Sequence, residues 1–107
     1  MEYKIEIYAP EDSIKPIHKV LSEIGAGKLG NYDSIMSITK ISGYWRPLEG
    51  SNPYNGEISK LCYGSEVRLD MRCSENLVKL AVKTIKENHP YEKPMINIIP
   101  LFNDKFE

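Results

Sequence analysis

From residue 66 to residue 73, charged and apolar side chains alternate without a break. Val67, Leu69, Met71 and Cys73 interleave with Glu66, Arg68, Asp70 and Arg72. A period of two is the mark of a strand with one buried and one solvated face. The start of the chain repeats it, with Tyr3, Ile5 and Ile7 on one side and Lys4, Glu6 and Tyr8 on the other. Two such strands commit the chain to a half-covered sheet, so helices or a second layer must bury the apolar side.

The helices are legible too. After a break at 9–13, Ile14, Ile17, Leu21 and Ile24 recur at helical spacing, with Asp12 or Ser13 as candidate cap. Pro16 sits in the first turn, where its missing N–H costs nothing, and Gly25 stops the helix. Leu77, Val78, Ala81, Val82 and Ile85 form a second stripe behind Ser74, and His89-Pro90 ends it. Residues 32–42 read as a long strand whose weak alternation suggests that both faces are covered. Another strand starts near Ile58, with a bulge expected at Gly64, and residues 95–101 form the last.

The order is therefore βαββαβ. It implies an α+β, ferredoxin-like fold over residues 1–107: a four-stranded antiparallel sheet, two helices on one face, and a long β2–β3 excursion. Chain direction then sorts the connections. Residues 9–13, 43–57 and 89–94 share one end, and the glycine-dense turn at 25–31 lies at the other.

Charge narrows the function. Fourteen basic and 15 acidic residues leave a net charge of −1, which argues against a nucleic-acid module or a polybasic membrane-surface domain. No apolar run is long enough to cross a bilayer, and the start, Met1-Glu2-Tyr3-Lys4, is no secretory signal. The chain reads as cytoplasmic. Cys62 and Cys73 are too few for a disulfide framework and read as ordinary thiols.

Two segments carry candidate chemistry. The excursion at 43–57 holds Tyr44, Trp45, Arg46, Asn52 and Tyr54, including the single tryptophan. Aromatics and arginine anchor interfaces and stack on ligands, so the loop reads as a packed hairpin tip, a ligand contact or a docking arm. The corner His89-Pro90-Tyr91-Glu92 places an imidazole, a phenol and a carboxylate together, and the helix dipole there favours protonated His89. As a metal site, His89 and Glu92 are two ligands short, and His18 more naturally packs at the edge of the first helix. No nucleophile accompanies the corner, which weighs against an enzyme. Gly25-Ala26-Gly27-Lys28-Leu29-Gly30 looks like a phosphate loop, but it follows a helix and precedes a strand, the reverse of the phosphate-binding context. It reads as a tight turn needing positive φ.

Three ordered motifs, Gly25-Ala26-Gly27-x-x-Gly30-Asn31-Tyr32, Arg46-Pro47-Leu48-Glu49-Gly50-x-Asn52-Pro53 and His89-Pro90-Tyr91-Glu92-x-Pro94, resemble the insert domain of the YqfO-type, NIF-three-like proteins, a PII-like and CutA-like domain. The sequence departs from that pattern at Ile35, where a cysteine is frequent, at Trp45, where phenylalanine is frequent, and at Lys93, which replaces a glutamate. The resemblance implies threefold association, with the 43–57 and 89–94 loops lining clefts between subunits. Full-length relatives carry a dinuclear metal centre in flanking domains, which is not carried over to this chain. The expectation is a non-catalytic small-ligand-binding or regulatory module working as a homo-oligomer, with a trimer favoured. Arg46 would neutralise a small anion or nucleotide, Trp45 or Tyr91 would stack on it, and His89 and Glu92 would hydrogen-bond to it. The alternatives are a protein-interaction module docking through the aromatic excursion and metal binding through His89 and Glu92. No cofactor is nominated.

Overall fold

A computed structural model describes residues 1–107. Its elements run β1 (Glu2–Ala9), α1 (Ile14–Glu23), β2 (Ser37–Trp45), β3 (Cys62–Ser74), α2 (Glu75–Glu87) and β4 (Ile96–Leu101), with short 3₁₀ turns at Glu11–Ser13 and Asn103–Lys105. The four strands form one antiparallel sheet in the order β2-β3-β1-β4. This is the ferredoxin-like arrangement expected from the element order.

The alternation read from the sequence is the sheet's inside and outside. Ile5, Ile7, Ala9, Val67, Leu69, Met71 and Cys73 are buried in one cluster with Ile17 and Leu21 of α1 and Ala81 and Ile85 of α2. Register keeps these side chains together, since Ile5 pairs with Met71 and Ile7 with Leu69. Each large aliphatic side chain buried there contributes about 1.5–3 kcal/mol. The far face is polar. Lys4 and Glu6 pair at 3.1 Å, and Arg68 meets Asp70 through two contacts of 3.2 Å.

Helix α1 closes as the sequence suggests. Gly25 stands at φ +99°, its N–H donates to the Ser22 carbonyl at 3.1 Å, and the Ala26 N–H donates to that of Leu21 at 3.1 Å. This paired closure is the Schellman motif, and buried Ala26 and Leu21 supply its apolar contact.

Several local expectations are corrected. Neither Asp12 nor Ser13 caps α1. The chain enters through the 3₁₀ turn after Pro10, so Ser13 is already helical and buried, and its N–H is satisfied by the Pro10 carbonyl at 3.0 Å. Ser74 does occupy the position before α2, but its hydroxyl bonds Asn76 at 2.6 Å rather than the helix backbone. Strand β2 begins at Ser37, because Tyr32 closes a small bridge with Leu29 and Ser34 turns at φ +59°. It then continues through Trp45, so Gly43, Tyr44 and Trp45 belong to the sheet. Strand β3 begins at Cys62 rather than near Ile58. The ladder from Ser37↔Asp70 to Trp45↔Cys62 is unbroken, with no bulge at Gly64. In the single chain β2 is an edge strand exposed along most of its length, so neither face is covered as expected.

Candidate functional site

The two segments singled out in the sequence meet. The backbone N–H of Asn52 donates to Glu92 Oε2 at 2.8 Å, and the rings of Tyr54 and Tyr91 lie 5.5 Å apart at 46°. The β2–β3 connection, residues 46–61, thus closes on the turn after α2 within one chain.

The corner at 89–92 is held by its own side chains. His89 is buried, and its Nε2 lies 2.7 Å from the Tyr8 carbonyl oxygen. The Tyr91 N–H donates to His89 Nδ1 at 3.1 Å. Nδ1 therefore carries no proton, and Nε2 is the nitrogen that donates to Tyr8. Burial pushes the imidazole pKa below its usual 6.5, against smaller upward pulls from the Tyr8 bond and from Glu66. This corrects the expectation of a protonated His89, because burial disfavours the charged imidazole. Within the chain both ring nitrogens are engaged, Nε2 with Tyr8 and Nδ1 with Tyr91.

Tyr91 extends the lock to the sheet. Its hydroxyl donates to Glu66 Oε2 at 3.0 Å, and its ring lies 4.7 Å from that of His89. Burial first, then the Glu66 carboxylate, raises the phenol above its ordinary range, so it stays protonated at neutral pH. Glu66 was missed as a site residue because alternation assigns it to the solvated face. Its place at the loop-bearing end of β3 was the available signal.

Trp45 lies on the polar face, over the strand surface that Gly64 leaves bare. A Cβ on Gly64 would stand 3.3 Å from the ring. Its indole N–H donates to the Asn55 carbonyl at 3.1 Å, which ties the strand end to the loop. Tyr44 points to the opposite face of the sheet and packs on Tyr63 with centroids 4.8 Å apart. It is 72% exposed and does not join Trp45. Arg46 is exposed and makes no ion pair. Beside Glu66, a cleft of about 280 Å³ opens between Glu11, Lys40, Ile41, Ser65 and Val67.

No group of three or more His, Cys, Asp or Glu residues is placed to hold an ion. His18 is elsewhere, with Nε2 on the Ser34 carbonyl at 2.9 Å, where it ties α1 to the segment before β2. The thiols Cys62 and Cys73 are both free. No helix is long and apolar enough to cross a membrane.

No protein-family model matches the chain. The GTP cyclohydrolase 1 type 2 homolog of Staphylococcus aureus is 32% identical over 99 residues, which cover 92% of this chain and 27% of that protein. A crystal structure of a Bacillus cereus protein related to NIF3 superposes with a TM-score of 0.83 at 26% identity, covering 95% of this chain and 26% of the other. The chain is homologous to one segment of the YqfO/NIF3 family. The homologous Halalkalibacterium halodurans protein is 29% identical over 102 residues, again covering 27% of the relative. The chain thus spans about a quarter of the length of the curated relatives it matches. Its fold is also that of CutA. The Archaeoglobus fulgidus protein, described as a periplasmic divalent cation tolerance protein, gives a TM-score of 0.71 at 21% identity, covering 95% of this chain and 85% of that one. At that identity the likeness shows the fold alone.

Proposed function

We propose that this chain is a non-catalytic small-ligand-binding or regulatory module whose site lies at the end carrying the 43–57 and 89–94 loops. The observation that carries the reading is the closure of Asn52 on Glu92 and of Tyr54 on Tyr91. A rim built from two distant segments is preorganised, which lowers the ordering cost of binding. Tyr54, 54% exposed, offers a face for stacking. Exposed, unpaired Arg46 supplies charge for a small anion or nucleotide, and Asn52 and Glu92 supply polar contacts at the rim. His89 acts behind the rim, where it holds the turn that carries Tyr91. Trp45 braces the loop and reports on it.

A homo-oligomer completes the site in this proposal. Strand β2 leaves its edge and Ile38 exposed, and a second copy would cover both. A trimer follows from the PII-like and CutA-like resemblance. Protein docking is the second reading, favoured by the exposed Tyr44–Tyr63 pair at the base of the arm. The cyclohydrolase activity named for the relatives is not assigned to this chain, because three quarters of those proteins lie outside the match.

Titration of Trp45 fluorescence with nucleotides and inorganic anions tests the reading. A saturable change that Arg46→Ala weakens while the oligomer persists supports it. A flat response across the series moves the assignment to docking. Light scattering that returns a 12.3 kDa particle at micromolar concentration removes the shared-site proposal.

A further inference from the structure

At the opposite end of the sheet lies a second concavity, which the site above does not use. It is a cleft of about 170 Å³ on the polar face, between the turn after α1 and the ends of β1 and β3. Lys4, Lys28, Arg72 and Asp70 supply its charged lining, with Gly27 and Ser37 between them. Three cations and one carboxylate give a local charge of +2 in a chain whose net charge is −1. The ion-pair partners outside the lining do not change this balance, and strand register puts one further carboxylate, Glu2, on the same face two residues from Lys4. Glu6 offsets Lys4 and Arg68 offsets Asp70, so the two added charges cancel.

The decisive detail is Arg72. Its Nε is buried and has no hydrogen-bond partner, and its guanidinium forms no ion pair. A buried donor without an acceptor is costly, and an oxyanion is the acceptor a guanidinium fits best. Lys28 is likewise free of ion pairs, and its side chain is solvent-exposed. The glycines do not form the cradle. The Gly27 N–H is spent on the Arg72 carbonyl at 2.8 Å, and the Gly27 carbonyl accepts from Ile35 at 2.9 Å. Those two bonds instead fix the turn against β3, which brings Lys28 into the lining of the same cleft as Arg72.

We infer that the cleft between Lys28 and Arg72 binds a small oxyanion of the phosphate class, free or as part of a larger molecule. Arg72 would supply the forked donors, Lys28 the mobile charge, and the Ser37 hydroxyl a neutral contact. The site is independent of the loop rim, which lies at the other end of the strands.

The test is a titration of isotope-labelled protein with inorganic phosphate and pyrophosphate at low salt, read by amide shifts. Saturable shifts at Lys28, Leu29, Ser37 and Arg72 are expected, with stronger binding of pyrophosphate. Arg72→Gln and Lys28→Gln should each weaken binding about tenfold, the usual result of losing one charge-assisted contact. Arg46→Ala should leave it unchanged. Lys28 is exposed, so its variant keeps the test valid if Arg72→Gln fails to fold. The inference is overturned if no shifts appear, if they fall on residues 46–55 and vanish with Arg46→Ala, or if Lys28→Gln binds like the parent. The last two outcomes leave the loop-rim proposal standing, so the two sites fail separately.

Discussion

Gly27 and Gly50 come from glycine-rich segments that look alike in the sequence, yet they stand in opposite surroundings in the fold. The turn at 25–31 is built into the structure. Gly27 bonds β3 through its N–H, and a Cβ on it would stand 2.6 Å from Met71 Cε and 2.7 Å from the Ile35 carbonyl oxygen. The connection at 46–61 lies on the surface. Gly50 also has positive φ, yet nothing lies within 4 Å of where its Cβ would be. The first glycine is required by packing and backbone together, and the second by backbone alone. Each segment holds both kinds, since Gly30 has nothing within 4 Å and a Cβ on Gly56 would stand 2.8 Å from Cys62 Sγ, so glycine density by itself does not identify a binding loop.

Five substitutions press on this contrast and on the loop rim. Gly27→Ala should have the largest effect, a loss of about 2–4 kcal/mol in denaturant unfolding, because overpacking adds to the strain of positive φ. If Gly50→Ala costs as much, the contrast fails; it should cost only about 1 kcal/mol. His89→Gln should follow, at about 1–3 kcal/mol near neutral pH, because it disturbs the acceptor for the Tyr91 N–H and the donor to Tyr8.

His89 also sets a pH dependence. Its folded-state pKa lies below 6.5, so the unfolded chain takes up that proton first. Its contribution is complete above about pH 6.5 and declines as pH falls through that value. Thermal melts between pH 7 and pH 5 should show this decline in the parent and lose it in His89→Gln. Glu6 acts in a separate, lower window. The bond from Lys4, then that from Asn97, holds its carboxyl below 4.5, so its stabilisation is lost only in more acid solution.

Tyr91→Phe should cost about 1 kcal/mol through the lost bond to Glu66. The smallest effect belongs to Glu92→Gln, below about 1 kcal/mol, since the Asn52 contact is exposed. Its readout is local: faster amide exchange at Asn52 and altered Trp45 emission, with the melting temperature nearly unchanged. A large global loss would mean that the rim is part of the core rather than a closure resting on it.

The element order, the buried sides of β1 and β3, and the stop at Gly25 were legible because each rests on a local rule of spacing or backbone freedom. The meeting of the 43–57 and 89–94 loops was legible too, since strand direction alone decides which connections share an end. The start of β2, the absent bulge at Gly64 and the roles of the histidines were not. They depend on partners far along the chain: Leu29 for Tyr32, the whole β3 ladder for Gly64, the Ser34 carbonyl for His18, and Tyr8 for His89.

By itself the sequence determined the architecture, because periodicity states which side of each element must leave water. Tertiary structure alone decided the chemistry of individual groups. An imidazole's charge, a phenol's proton and an unpartnered guanidinium nitrogen depend on the burial and hydrogen-bond partners that the folded chain supplies.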